Sequence, residues 1–315
     1  MKRLIVASMV ALIAATTQAS AQNAADRRET VNDGVVGIVA AKRTGTLTVF
    51  ADDLAAVLNE VPGLRVLPIL GRGSLGNIED LLYLRGVDIA LTQGDVLDFY
   101  QEFELESNIG NKLGYIASLG LEEAHLLARN EINSIDDLEG RKVNFGWNGS
   151  GSFLSASIIF DNLGIKVEAG VDLHETAMVK LKDGEIDAMF WMGGSPIDVF
   201  QDLKESDGLH LLSIPTDRIT AKTYAPTTLS SDDYPNLIAP GQTIDTVEVG
   251  TVMAAYRWPE GHPRRHAVEL FAKALFENSE KLHHDPYHPK WKTMDLAADV
   301  PGWTRLFPLL QVSSR

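Results

Sequence analysis

Short runs of apolar residues alternate along the chain with segments in which apolar residues recur every three or four positions. The first pattern is typical of buried strands, and the second is typical of amphipathic helices. In the first part of the chain, strands are predicted at residues 35–40, 65–70 and 87–92, and helices follow the first two. Strands that alternate with helices favour βαβ units and a mainly parallel sheet.

The same pattern returns after residue 140. A strand is predicted at residues 141–146, followed by a Gly/Ser turn, an amphipathic helix, a further helix near 176–182 and a strand at 185–191. Segments 82–94 and 179–194 share one order: helix end, basic residue, glycine, acid, apolar strand, glycine. The sequence therefore predicts an α/β protein of two lobes built on one plan, with a last amphipathic helix at 263–282.

The N-terminus has the pattern of a secretory signal peptide. Lys2 and Arg3 precede an apolar run at residues 4–15, and small residues at 19–21 form a cleavage site. The alternative is a cytosolic chain with an apolar beginning. The chain has no cysteine, so it offers neither disulfides nor a cysteine for a lipid anchor. We therefore expect residues 1–21 to be removed and the remainder to be a freely diffusing, monomeric periplasmic protein.

Charge and motifs exclude several classes of function. The net charge of −15 disfavours nucleic acid and anionic lipid, and it favours solubility. Residues 283–288 hold the one histidine cluster, which fits a surface loop better than a metal site. No spacing suggests a Ser/His/Asp triad. We predict no cofactor, no metal and no enzymatic activity.

Two glycine-rich turns are the candidate binding elements. The first, "GRGSLG" at residues 71–76, matches G-x-G-x-x-G but follows the second strand rather than the first. It can be read as a dinucleotide turn, as a plain tight turn or as half of a cradle for an anion or polar ligand, which we favour. Arg72 would add positive charge to such a cradle, or it would face solvent.

The second turn, Gly149-Ser150-Gly151-Ser152, lacks the lysine of a phosphate loop and the spacing of a nucleophile elbow. Its amides and hydroxyls suit a carboxylate or another small polar ligand. The alternative is a helix cap without a ligand. Trp147 beside the turn is a candidate cleft wall or a core residue, and the Gln93 amide ends the third strand.

Several segments in order resemble TAXI-type solute-binding proteins of tripartite ATP-independent periplasmic (TRAP) transporters. They include "GTLTVFADDLAAVL", "LPILGRGSLGNIEDLLYLRGVDIALTQGDVL", "LARNEINSIDDLEGRKVNFGWNGSGS" and "LKDGEIDAMFWMGGSP". The resemblance implies a two-lobed type II periplasmic binding protein fold. Lobe I would comprise residues 22–122 and 253–315 and lobe II residues 123–252, joined by a two-segment hinge near 121–125 and 248–256.

The resemblance also implies a ligand site between the lobes, at the turns that follow the strands. With Arg72 and Trp147 added from the residues themselves, the predicted ligand-binding set is Thr44, Gly45, Thr46, Arg72, Gly73, Ser74, Gln93, Trp147, Gly149, Ser150, Gly151, Ser152, Gly194, Ser195 and Tyr224. Leu47 stands where relatives often have an aromatic residue, and Gly94 stands where they often have serine.

The function implied is capture of a small organic anion or amino acid, of the dicarboxylate, 2-oxoacid or glutamate type. Delivery to membrane permease subunits, driven by an ion gradient, would follow. Two alternatives stay open at this point. One is a binding protein for an ABC importer or a signalling receptor, and the other is an exported enzyme on the same fold.

Overall fold

The structure is a computed structural model that describes residues 34–41, 46–106, 108–220 and 222–307. The predicted signal peptide at residues 1–21 lies outside the described residues.

Strands and helices alternate as the hydrophobic pattern predicts. The strands are β1 (Val35–Val39), β2 (Arg65–Ile69), β3 (Ile89–Gln93), β4 (Leu113–Arg129), β5 (Lys142–Asn144), β6 (Glu168–Gly170), β7 (Ala188–Gly193), β8 (Leu209–Leu211), β9 (Tyr224–Ser230) and β10 (Thr243–Tyr256). The helices are α1 (Thr46–Leu58), α2 (Ser74–Tyr83), α3 (Val96–Glu102), α4 (Ile109–Lys112), α5 (Gly151–Leu163), α6 (His174–Lys182), α7 (Asp198–Gln201) and α8 (Pro263–Leu282).

The ten strands form one mixed sheet whose main path runs β2-β1-β3-β10-β4-β7-β5-β6. One end of the path, β2-β1-β3, is parallel, and so is the other end, β7-β5-β6. Antiparallel β10 and β4 lie between these ends and pair with each other. The predicted α/β fold of two lobes, each with a mainly parallel sheet, is confirmed.

Both faces of the sheet are covered in each lobe. In the first lobe, neighbouring residues Ile38 and Val39 of β1 belong to hydrophobic clusters on opposite faces. In the second lobe, Met189 and Phe190 of β7 do the same. Side chains alternate across a strand, and parallel strands buried on both faces read as continuous apolar runs. This explains why these strands carry runs such as "VVGIV" and "AMFWMG" rather than alternating patterns.

The chain passes between the lobes along β4 and β10, which are the two longest strands at 17 and 14 residues. They pair where the crossings were predicted, with Gly250 opposite Leu121 and Glu248 opposite Glu123. The register is irregular on either side of Val252. The predicted division into residues 22–122 with 253–315 and residues 123–252 stays a prediction.

Helix α5 packs against both lobes. Leu154 and Ile158 belong to a cluster of the first lobe, whereas Ile159 and Phe160 belong to a cluster of the second. Residues that recur at three- and four-residue spacing share one face of a helix. Two neighbouring faces of α5 are therefore buried in different cores, and the lobes touch through apolar contacts.

The structure departs from the sequence prediction mainly at element ends. Helix α8 has the predicted bounds. The third strand begins at Ile89 rather than at residue 87, and the strand predicted at 185–191 begins at Ala188. The antiparallel pairing of β10 with β3 and β4 was not predicted. Within the described ranges, no helix has the length and apolar character needed to cross a bilayer.

Candidate functional site

A cavity of about 600 Å³ lies between the lobes. Its walls come from the turns that precede α2 and α5, the ends of β3 and β7, and the crossing strand β4. The volume is in the range typical of sites for small molecules. The structure brings nine of the predicted residues to its lining: Gly73, Ser74, Gln93, Trp147, Ser150, Gly151, Ser152, Gly194 and Ser195.

The two glycine turns touch each other across the lobes. The Gly149 carbonyl accepts hydrogen bonds from the amides of Leu75 and Gly76, at 3.1 and 3.2 Å. A Cβ on Gly73 would lie 2.8 Å from Ser150 Cα, and Gly73 has a φ of +107° that side chains rarely tolerate. These amides of the first turn are therefore paired within the chain rather than offered to a ligand.

Three serine hydroxyls line the cavity as donors. Ser74 Oγ accepts a hydrogen bond from the backbone N–H of Gln93 at 3.3 Å. Ser152 Oγ accepts one from the backbone N–H of Met192 at 3.0 Å. Ser150 is the N-cap of α5 and accepts from the Phe153 amide at 3.1 Å. Each oxygen already accepts a bond, so each O–H group is left to donate. This side of the cavity suits an anionic or carbonyl oxygen.

Two glutamates of β4 line the other side. Glu122 Oε2 accepts from Gln93 Nε2, and Glu123 Oε2 accepts from the Ser195 amide, both at 2.8 Å. Burial raises the pKa of Glu122 to about 7 and raises the pKa of Glu123. A carboxylate in low-dielectric surroundings is stabilised by a nearby positive charge, so this side suits an ammonium group.

Gln93 joins the two sides. Its Nε2 donates to Glu122, and its Oε1 is buried without a hydrogen-bond partner among the described residues. A buried acceptor without a donor is costly unless a ligand or water supplies one. A Cβ on Gly151 would lie 2.1 Å from this oxygen, so a residue without a side chain is needed here.

The C-terminal segment closes one end of the cavity. Lys290 and Met294 line it, and Lys290 Nζ packs so tightly on Gly194 that a Cβ there would lie 1.7 Å away. The Lys290 charge lowers the pKa of both Glu122 and Glu123 against the larger effect of burial. The apolar part of the lining includes Leu47, Phe50, Leu119 and Leu121.

His125 contacts the hydroxyl of Ser195, which lines the cavity. Its Nδ1 lies 2.8 Å from the Glu123 carbonyl, which can only accept, so Nδ1 carries the proton and Nε2 accepts. Nε2 lies 3.1 Å from Ser195 Oγ and 2.7 Å from Tyr234 Oη. Burial lowers the pKa of His125 to about 4, so the ring is neutral at pH 7.

An aromatic stack forms the remaining wall. The His174 ring stacks on Trp191 with a centroid distance of 3.8 Å, and it meets Trp147 edge-on at 5.5 Å. Trp147 reaches across the lobes, since its Nε1 donates to the Arg72 carbonyl at 2.8 Å. Trp147 therefore both lines the cavity and ties the second lobe to the first.

Of the other six predicted residues, three are described and do not line the cavity, namely Arg72, Gly149 and Tyr224. Arg72 points away and forms ion pairs with Glu79 and Asp80, both at 2.9 Å. Gly149 contributes the carbonyl that binds α2, and Tyr224 donates to Asp95 at 2.6 Å. The last three lie at the first turn: Thr44 and Gly45 are outside the described residues, and Thr46 begins α1 with a side chain that is not described.

Sequence reasoning missed the charged residues of the cavity: Glu122, Glu123, Glu175 and Lys290. A signal for the first two was present, because two acids interrupt the apolar residues of the segment predicted to cross between the lobes. Lys290 had no local signal, since its position depends on the return of the chain after α8. No group of acidic or histidine residues in the described ranges is arranged to hold a metal ion.

Solved structures with low identity to the chain include three binding proteins. A TctC solute-binding protein from Polaromonas is 16% identical, with 78% of this chain and 88% of that chain covered and a TM-score of 0.43. The aliphatic sulphonate-binding protein SsuA of Escherichia coli is 17% identical, with 78% and 72% covered and a TM-score of 0.48. The periplasmic binding protein BugD is 17% identical, with 82% and 85% covered and a TM-score of 0.47.

Identities and TM-scores this low carry no argument about what this chain binds or does. A family model, in contrast, matches most of the sequence. The model of the NMT1-like family matches residues 38–309, and the protein therefore belongs to the NMT1-like family.

Proposed function

We propose that the protein is an extracytoplasmic solute-binding protein whose solute is a small amino acid. The observation that carries this proposal is the polarity of the cavity between the lobes. Hydroxyls of Ser74, Ser150 and Ser152 offer donors on one side, and carboxylates of Glu122 and Glu123 offer acceptors on the other. The carboxylate of an amino acid matches the first side, and its ammonium group matches the second.

The charge of the cavity favours an amino acid over a dicarboxylate. Lys290 is one positive charge against Glu122, Glu123 and Glu175. A solute with two negative charges would face like charges unless the glutamates took up protons.

The resemblance to TAXI-type proteins extends the proposal to a partner and a place. Export by the predicted signal peptide would put a monomer in the periplasm, without a lipid anchor. Membrane permease subunits of a TRAP-type transporter would take the solute from the bound form. Copurification with a large multi-span permease supports this partner, whereas copurification with an ATPase-coupled importer or a receptor kinase contradicts it.

Matched pairs of solutes test the proposal most directly. Isothermal titration calorimetry compares each amino acid with the 2-oxoacid of the same skeleton, for example glutamate with 2-oxoglutarate and alanine with pyruvate. The two members of each pair share the carbon skeleton and the carboxylates, and they differ at Cα, which bears an ammonium group in the amino acid and is a carbonyl in the 2-oxoacid. At pH 8 we expect one amino acid to bind at least tenfold more tightly than its 2-oxoacid, which corresponds to about 1.4 kcal/mol. Tighter binding of the 2-oxoacid in every pair would overturn the proposal.

The contact between Ser195 and His125 is what an enzyme would use as a nucleophile and base. We propose that it instead positions a binding hydroxyl, because Tyr234 shares the same His125 nitrogen. Incubation of the protein with its solute should return the solute unchanged in a proton NMR spectrum. Turnover that is lost in Ser195→Ala would favour the exported enzyme.

A further inference from the structure

A second cavity, of about 290 Å³, lies in the first lobe and shares no lining residue with the cavity between the lobes. Strand β10 contributes to both, since Thr251 lines the larger cavity and Tyr256 lines the smaller one. Five residues of strand span about 17 Å. The second cavity is therefore distinct from the cavity between the lobes, and it lies at the far end of β10, beside the start of α8.

Three arginines line this small cavity: Arg257, Arg265 and Arg305. Arg305 has a distant acidic neighbour, Asp299, at 3.7 Å. No carboxylate of the described ranges lies within 4 Å of Arg257 or Arg265. Their unneutralised charge favours an anion.

Backbone carbonyls fix the guanidinium groups in place. Arg257 donates through Nε to the Leu113 carbonyl at 2.9 Å, and Arg265 donates to the Trp258 carbonyl at 3.2 Å. Because this hydrogen bond of Arg257 uses Nε, the N–H groups of its two terminal nitrogens can donate to another partner. A guanidinium held in this way loses little freedom on binding, and it can grip a carboxylate through two parallel bonds.

An aromatic wall accompanies the charges. Trp258 lines the cavity, stacks on His262 at 4.2 Å and 6°, and meets Tyr256 at 4.8 Å. Its Nε1 is buried and has no hydrogen-bond partner among the residues that the structure describes. Phe307 lies opposite, with the Arg265 guanidinium 5.9 Å from its ring centroid. The cavity therefore combines positive charge with aromatic surfaces.

The geometry points to a second ligand site here, for a small organic anion with a carboxylate on a flat apolar body. The carboxylate would accept from Arg257 and Arg265, and the body would pack against Trp258, Tyr256 and Phe307. The local charges outweigh the distant acidic surface, because salt screens exposed charges beyond about 10 Å. This site does not depend on the solute of the larger cavity.

Indole N–H signals in a proton–nitrogen NMR spectrum test the inference, with benzoate as the probe. The chain has five tryptophans, and Trp258→Phe identifies the signal of Trp258. Benzoate should shift that signal with a dissociation constant below roughly 1 mM, and it should leave the signals of Trp147 and Trp191 unchanged. Absence of a Trp258 shift, or shifts confined to Trp147 and Trp191, would overturn the inference.

Variants and a second probe sharpen the test. Arg257→Gln and Arg265→Gln should each weaken benzoate binding at least tenfold. Arg72→Gln is the matched control, because Arg72 is exposed and paired with Glu79 and Asp80, and it should bind as the parent does. Inorganic phosphate probes the charge alone and should bind more weakly than benzoate. Equal affinity for phosphate would contradict the proposed apolar body.

Discussion

Tyr224 Oη donates to Asp95 Oδ2 at 2.6 Å, and this bond joins β9 of the second lobe to the segment after β3 of the first. Ser155 of α5 donates to the same oxygen at 2.5 Å. Asp95 is fully buried, and burial raises its pKa to about 7. The lobes are therefore joined by a buried carboxyl group as well as by apolar packing.

Tyr224→Phe should destabilise the protein. The variant removes one of two donors to a buried carboxyl, which typically costs about 1–3 kcal/mol. Urea denaturation followed by circular dichroism measures the loss. Tyr83→Phe is the control, because Tyr83 is 72% exposed, and it should change stability by less than about 0.5 kcal/mol. Equal stability of the two variants would contradict the role assigned to the Asp95 contact.

The contribution of Asp95 to the stability of the protein should fall as the pH rises from about 4 to 8. The pKa of Asp95 is about 7 in the folded protein against an ordinary value of 3.8. Between these values the folded state holds a proton that the unfolded state has lost, so a rising pH favours unfolding. A pKa that is raised from 3.8 to about 7 in the folded protein corresponds to up to about 4 kcal/mol of unfolding free energy.

Asp95→Asn isolates this contribution, since the raised pKa of Glu122 adds to the slope and the lowered pKa of His125 opposes it. The variant should lose a large part of the pH dependence when unfolding free energies from urea are compared at pH 5 and pH 8. An unchanged difference between the two pH values would show that Asp95 is not the group responsible.

The double variant Ser74→Ala/Ser150→Ala should bind the solute at least tenfold more weakly while it remains folded. Each hydroxyl has an O–H group to donate, and bonds to charged groups contribute about 1.5–3 kcal/mol each. Loss of the Ser150 cap costs about 1 kcal/mol of stability, which a thermal melt reports. Ser157→Ala is the control, since its Oγ donates to the Phe153 carbonyl within α5. Equal affinity of the double variant and this control would remove the serines from the site.

Binding of an amino acid should tighten between pH 6 and pH 8. The pKa of Glu122 is about 7, and an ammonium group binds its ionised form better than its neutral form. Calorimetry at several pH values measures the trend, and Glu122→Gln should flatten it. A dicarboxylate would show the opposite trend, because it binds better when Glu122 is protonated.

Gly73→Ala should disrupt the contact between the two turns and abolish tight binding. The added Cβ would lie 2.8 Å from Ser150 Cα and 2.9 Å from the Gly149 oxygen. Gly86→Ala is a matched control, since Gly86 also has a positive φ, +91°, but no atom within 4 Å of the added Cβ. Similar affinity in both variants would mean that the turn contact does not matter for binding.

Local patterns predicted the α/β fold, and they predicted several residues that the structure brings to one cavity. Periodicity identified α8 with its bounds, because Val268, Phe271 and Leu275 recur on one buried face. The glycine turns were found because each follows a buried strand and opens a helix, and the carboxyl ends of parallel strands meet at one edge of a sheet. Nine of the fifteen predicted site residues line the cavity as a result.

Long-range placement explains what the sequence did not predict. Lys290 reaches the cavity only because the chain returns to the first lobe after α8, and no local pattern encodes that return. Arg72 was expected to add charge to the cradle. It instead forms ion pairs with Glu79 and Asp80, which lie in the helix that follows it. Tyr224 contacts Asp95 rather than the cavity, which depends on the packing of β9 against the first lobe.

Helix α5 limits how far the two lobes can separate. Leu154 and Ile158 are 0% exposed in contact with the first lobe, although the helix belongs by sequence to the second. Uncovering each would cost about 1.5–3 kcal/mol. Moving the lobes apart at α5 would therefore be unfavourable, and we expect an arrangement with widely separated lobes to be rare. A partner that separates the lobes would have to supply the free energy needed to expose these two side chains.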